Sequence, residues 1–403
     1  MAHDHSRTFK DDDFQYGYEI ALGAVYHRGA DAGEVAVTAG RIKNGDRESW
    51  VREWLALADS VATSGRDAAN AGHEVSGVAY LRRAATYYST ALYAIAGTEE
   101  AENKLDIWRR GRSCWEQVVD LMGAERVEIP YEGTTLPGFF FRAADAAPGE
   151  QRPLVVLNNG SDGATSSMWS DGGAGAGERG YHWLAFDGPG QQAALFEQGL
   201  FFRPDWEAVL TPVVDAMTAR DDVDSDRLAV IGISQGGFWV PRALCFEHRF
   251  AAAVADPGVV DVGTSWRAPL PKSMVKHLEA GEKDKFDKEM ALGEKFSKST
   301  RAVLEFRGEP FGIQSGSRYD LYEAIAPYAL GDEVQQIDTP LLITEPEGEQ
   351  FWPGQSQELL DRISGEKELV RFSAAEGGGR HCEPMARGLR DARIYDWLDG
   401  YLR

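Results

Sequence analysis

An apolar run ending in a glycine-flanked serine constrains this chain more than any other feature. Leu228-Ala229-Val230-Ile231 reads as a buried strand, Gly232-Ile233-Ser234-Gln235-Gly236 follows as a G-x-S-x-G motif, and Phe238-Trp239-Val240 opens a helix. A serine on a sharp strand-to-helix turn has strained backbone angles and an exposed Oγ, and the flanking glycines leave room for the turn to close. Such a turn requires a strand before it and a helix after it, so its surroundings should alternate strand and helix.

They do. Arg126–Tyr131 and Leu136–Arg142 read as a hairpin joined at Glu132-Gly133. Strand-like runs follow at 153–157, 183–186, 228–231, 251–255, 341–344 and 368–372, with helices at 203–220, 237–247, 353–364 and 385–402. Alternation of this kind predicts a doubly wound, mostly parallel sheet with functional loops at the strand C-termini. Between Asp261 and about Ile337 the alternation stops. Lys272–Arg301 is helical in pattern and stands where a lid would be inserted, and its charge density marks a solvated face.

The first 123 residues differ. Trp50, Trp54 and Leu57 share a helical face, a second helix spans Val75–Ala94, and a third near Glu99–Met122 carries Trp108 and Trp115. Most of these aromatics read as helix–helix core. Tyr87, Tyr88 and Arg82 are kept as candidate substrate contacts on a pocket wall. The expected division is a helical domain over 1–123 and an α/β core over 124–403, with the lid at about 261–337.

Hydrophobic residues make up 43% of the 403, enough for a sizeable core. The net charge of −22, from 42 basic and 64 acidic residues, repels nucleic acid and anionic membranes. No apolar run approaches a membrane span, and Met1–His5 are polar, unlike a secretory signal. Cys114, Cys245 and Cys382 lie far apart, which suits reduced thiols in the cytoplasm. The expectation is a cytoplasmic protein that takes a small-molecule substrate, with no nucleic-acid or membrane partner. No cofactor or metal is implied: no His/Asp/Glu cluster has ligand spacing. The glycine-rich stretch 172–177 follows no strand and lacks the lysine of a phosphate loop.

A serine hydroxyl becomes a useful nucleophile when a base takes its proton and a third group orients that base. Three histidines follow Ser234. His248 falls on a surface turn, His277 in the charged lid helix, and His381 in a glycine-rich loop (375–382) directly after the last strand. His381 is the predicted base. The acid should follow the strand Leu341–Thr344, where Glu345, Glu347 and Glu349 stand. Glu349 is preferred for its offset to Pro353 and the next helix, and Asp256 is a second choice as acid or as substrate contact. Two backbone N–H groups should face the developing oxyanion: that of Gln235, and one from the loop 157–163, supplied by Ser161 or Asp162. The turn Asp187-Gly188-Pro189-Gly190-Gln191 reads as structural.

The elbow 232–237, the turn 186–191, the ending Gly379-Arg380-His381-Cys382 and the helical segments 50–54 and 80–88 together resemble one branch of the α/β-hydrolase superfamily. That branch includes 2,6-dihydroxypseudooxynicotine hydrolase and fungal pigment-pathway hydrolases that shorten polyketide chains. The resemblance implies an N-terminal helical domain over the catalytic core with a cavity between them, and homodimers. It also implies cleavage of a carbon–carbon bond beside a ketone, or of an ester, in aromatic or polyketide-like molecules of secondary metabolism. A glutamate at 349 departs from the aspartate expected there. Rival readings are acyl transfer, cyclisation or elimination at the same site, and a non-catalytic ligand-binding module.

Overall fold

The protein is described by a computed structural model over residues 7–403, without the side chains at 296, 298 and 299. Met1–His5, read above for a leader signal, lie outside the described residues. The chain forms two compact units. One comprises the chain up to Glu125 with 166–174 and 384–388, and the other comprises 126–165, 175–383 and 389–403.

In the second unit the apolar runs become strands. β1 (Glu125–Tyr131) and β2 (Thr134–Phe141) form the hairpin. Its turn residues Glu132 and Gly133 have φ of 39° and 82°, the left-handed conformation that a tight two-residue turn demands. The remaining strands are β3 (Arg152–Asn158), β4 (His182–Phe186), β5 (Val223–Ile233), β6 (Ala252–Asp256), β7 (Leu341–Pro346) and β8 (Lys367–Phe372). They lie in the order β1-β2-β4-β3-β5-β6-β7-β8. β2 runs antiparallel to β4, and every pair from β4 to β8 is parallel. After β3 the chain turns to one side of the sheet, and after β5 to the other. The loops leaving these neighbours therefore diverge and open a crevice at their C-terminal ends, the usual ligand position in such sheets.

β4 and β6 are buried along their whole length, as strands covered on both faces must be. Beneath the crevice Trp206 stacks on Trp239 with centroids 4.2 Å apart. Between β6 and β7 the chain inserts helices at Gly263–Arg267, Lys272–Glu279, Lys283–Phe296, Lys298–Gly308 and Arg318–Ile325. Their charged faces are solvated, and Trp266, Met274, Phe286, Phe311 and Tyr322 are buried in the hydrophobic core.

The helical unit is built from α1 (Asp12–Gly23), α2 (Ala32–Ala39), α3 (Arg47–Asn70), α4 (Glu74–Tyr93) and α5 (Lys104–Leu121). Asp11, Asp31 and Asp46 cap the first three, accepting from otherwise unpaired N–H groups of the first turn. The segment read as one helix from Glu99 starts as a 3-10 turn, Glu99–Asn103, before α5. Trp50, Trp54 and Phe14 pack together, and Trp50 Nε1 donates to Thr90 O at 2.7 Å.

The three pocket-wall candidates are absorbed into this packing. Tyr87 is fully buried and donates to Glu34 at 2.6 Å while accepting from Asp31 N–H at 2.9 Å. Tyr88 donates to Asp59, which Arg110 also holds. Arg82 donates to Arg28 O at 3.1 Å and lies over the Trp169 ring at 4.5 Å. Their polar atoms are hydrogen-bonded within the unit itself. Among the described residues no helix is long and apolar enough to cross a membrane.

Candidate active site

β5 ends on Gly232–Ile233, and Ser234 follows with φ of 58°. A non-glycine residue held there is strained, and the neighbours enforce it: Ser234 N–H donates to Asp256 O at 2.6 Å and Ser234 O accepts from Gly237 N–H at 2.8 Å. The turn is so tight that a Cβ at Gly232 would stand 2.2 Å from Gly236 O. The serine side chain is thereby lifted off the end of the sheet.

His381 meets it there. Its Nε2 is 2.8 Å from Ser234 Oγ, and its Nδ1 is 2.8 Å from Glu349 Oε2. Glu349 Oε1 accepts from the N–H groups of Phe351 (2.8 Å) and Trp352 (3.2 Å). Burial works to raise the Glu349 carboxyl, but His381 and these two N–H donors outweigh it and hold it below its ordinary value. Phe351 and Trp352 flank the imidazole with centroids 4.8 and 5.6 Å away, keeping bulk water off the pair.

The loops carrying the two residues are stitched together. Glu347 N–H donates to Phe372 O and Gly348 N–H to Gly379 O, both at 2.8 Å, and Ala374 N–H donates to Glu347 at 2.7 Å. The histidine loop is thus braced by the acid loop. Of the other acid candidates, Glu347 serves this brace and Glu345 pairs with Arg371 at 2.6 Å. His248 and His277 pair with Asp338 and Glu282, away from the serine.

Asp256, the second-choice acid and possible substrate contact, is held by an arginine and a threonine. It is fully buried. Its carboxylate takes Arg390 Nε at 2.6 Å and Thr344 Oγ1 at 2.7 Å. Burial works to raise this carboxyl, and the Arg390 charge reverses the effect. The side chain is a buried ion pair beneath the serine turn, and only its backbone oxygen reaches Ser234. Arg390 lies 134 residues further along and carries no signature of this role in the sequence.

The loop after β3 runs beside the serine. A Cβ at Gly160 would sit 2.7 Å from Ser234 Cβ, so only glycine allows this approach. Gly160 N–H is taken by Asn159 Oδ1 at 2.7 Å, which leaves Ser161 and Asp162 as the residues of this loop that line the adjoining cleft. The turn at 187–191 braces it: Gln191 Nε2 donates to Asn159 O and Gly160 O, both at 2.8 Å. Thr165 Oγ1 donates to Asp187 at 2.6 Å.

The cleft is open to solvent at its mouth. Gln235, Ser161, Asp162, Gln192, Arg307 and Glu309 line it with the aromatics Phe202, Trp266, Phe306, Phe311 and Trp352. The inserted helices supply part of this lining, and Phe202 N–H ties to them through Pro310 O at 2.8 Å. These aromatics were missed in the sequence reading, which weighed the charge of the insertion rather than its apolar residues. Among the described residues no group of three or more His, Cys, Asp or Glu side chains could hold a metal.

Known proteins resemble this chain in sequence and fold. Residues 210–304, spanning the serine turn, match the prolyl oligopeptidase family. The chain is 30% identical over 402 residues to the hydrolase LUC6 of a Fusarium species, covering 96% of each. It is 28% identical over 411 residues to 20-hydroxy-prefusarin hydrolase FUS2 of Gibberella moniliformis, covering 98% of this chain and 97% of that one. The crystal structure of 2,6-dihydroxy-pseudo-oxynicotine hydrolase superposes with a TM-score of 0.72 at 19% identity, covering 94% and 95% of the two chains. That likeness shows a common fold. The chain is a hydrolase and belongs to the α/β-hydrolase family of LUC6 and its fungal relatives.

Proposed function

We propose that this hydrolase works through a Ser234–His381–Glu349 triad and an acyl-enzyme. Its target would be a carbon–carbon bond beside a ketone, or an ester, in an aromatic or polyketide-like small molecule. The observation that carries the reading is the unbroken hydrogen-bond chain from Glu349 through His381 to Ser234 Oγ. With Nδ1–H donated to Glu349, Nε2 is free to take the hydroxyl proton as Oγ attacks the carbonyl carbon. The negative oxygen would be held by Gln235 N–H and by an N–H at Ser161 or Asp162. Each such donor is worth roughly 10²–10³ in rate. His381 then returns the proton to the leaving group, and water releases the acid.

The aromatics of the cleft, among polar and charged neighbours, support an aromatic substrate with polar groups. The names of two similar proteins agree in kind: one acts on 20-hydroxy-prefusarin, the other on 2,6-dihydroxy-pseudo-oxynicotine. Ser234→Ala tests the reading. Turnover of an aryl ester should fall about a millionfold, and a fluorophosphonate should label the native protein but not the variant. Near-native turnover by the variant would refute covalent catalysis. Oxygen-18 water should place its label in the product acid, and an unlabelled product would point to acyl transfer or elimination.

A further inference from the structure

The turn after β4 fixes one peptide of the serine cleft from behind. Gln191 is 2% exposed and does not line the cleft itself. Its Oε1 accepts from Gly188 N–H at 2.8 Å, and its backbone N–H donates to Gly188 O at 2.9 Å. Gly188 N–H requires an oxygen, so the two ends of the carboxamide are assigned. Nε2 therefore faces the loop after β3, where it donates to Asn159 O and Gly160 O, both at 2.8 Å. A trans peptide sets its C=O and N–H on opposite sides. With Gly160 O drawn back to Gln191, Ser161 N–H points the other way, to the side where Ser161 lines the cleft and Gly160 approaches Ser234. That N–H makes no hydrogen bond among the described residues. Gly160 N–H is already taken by Asn159 Oδ1. The next peptide differs, because among the described residues nothing holds Ser161 O and so nothing fixes the direction of Asp162 N–H.

We propose that Gln191 is the positioning residue of the oxyanion site, and that through it Ser161 N–H, not Asp162 N–H, is the donor that works with Gln235 N–H. The inference rests on the reading of Ser234 as nucleophile. When Ser234 Oγ bonds to a carbonyl carbon, His381 takes the hydroxyl proton and the C=O electron pair moves onto the carbonyl oxygen. A donor already held in place stabilises that new charge without reorganising. Gln191 supplies the fixity without touching substrate: it holds the acceptor side of the peptide whose donor side serves the reaction. It also polarises that peptide, since a carbonyl that accepts a hydrogen bond makes the N–H across the same amide a stronger donor.

Inhibition of aryl ester hydrolysis separates positioning from packing. Phenethyl trifluoromethyl ketone gains an oxyanion when Ser234 Oγ adds to it, whereas phenethyl methyl ketone has the same skeleton and binds as an intact ketone. Gln191→Met keeps the length of the side chain and removes both donors. It should lower kcat and weaken the trifluoromethyl ketone on the order of 10²-fold, with KM and the methyl ketone unchanged. Thermal unfolding shows whether the variant is folded. A second change leaves Gln191 in place: an α-hydroxy acid at position 161 replaces the backbone N–H by an ester oxygen. It should lower kcat on the order of 10²–10³-fold, and the same change at position 162 should cost at least about tenfold less. Equal weakening of the two ketones by folded Gln191→Met, or none, would overturn the proposal. So would a fall in kcat at 162 that matches or exceeds the fall at 161. Fluorophosphonate labelling of the native chain separates the two readings. Without labelling of Ser234 the nucleophile falls and this proposal with it, whereas labelling with an unaltered ketone ratio refutes the role of Gln191 alone.

Discussion

Two sets of buried and half-buried polar side chains in this protein look alike by composition and end differently. In the helical unit Tyr87 closes on Glu34, and Glu34 on Arg83 at 2.9 Å. In the α/β unit Glu349 holds His381, and His381 holds Ser234, whose neighbour Gln235 opens onto a cleft. The first set spends its hydrogen bonds on itself. The second ends on the Ser234 hydroxyl, next to a residue that lines a cleft. Burial and polarity alone therefore mark packing, and the polar chain that ends on the strained serine is the one proposed to carry chemistry.

Substitutions can break that contrast. Glu349→Gln should lower turnover about 10⁴-fold, because the amide no longer fixes the productive tautomer of His381. Glu345→Gln should leave turnover unchanged. Steady-state kinetics on one aryl ester checks both. The Glu349 carboxyl lies below its unfolded value of about 4.3, so its stabilisation is complete above that pH and fades as pH falls toward the folded value. Acid unfolding of Glu349→Gln should therefore depend less on pH in that window.

Asp256→Asn should act on stability, costing about 3–5 kcal/mol in chemical denaturation by leaving Arg390 buried beside a neutral partner. If the folded variant instead lost turnover as Glu349→Gln does, the acid of the triad would have to be reassigned. The smallest effect is expected at Tyr87→Phe, about 1–2 kcal/mol of stability, with kcat/KM unchanged. A fall in kcat/KM would return this tyrosine to the substrate site.

Much of the α/β layout was legible because its signals are local. Apolar runs bounded by turn residues marked the strands, and Glu132-Gly133 marked the hairpin. G-x-S-x-G marked a turn that closes only because glycines stand two positions either side of the serine. His381 stood out because a glycine-rich loop follows a strand. The choice among Glu345, Glu347 and Glu349 was harder, because all three lie in one loop. Their roles separate only once Arg371, the histidine loop and His381 have folded against them.

The amino-acid sequence by itself determined the order of strands and helices, the position of the strained serine and the supply of a histidine and glutamates downstream. These follow from periodicity and from backbone sterics, which act over a few residues. Tertiary structure alone decided that Asp256 faces Arg390 and that Arg82 faces Trp169. It also decided that aromatics from β7's loop and the inserted helices wall one cleft. Such pairings join residues tens to more than a hundred positions apart. They are selected by which buried charges and rings can satisfy one another when the chain closes, and no local pattern records that selection.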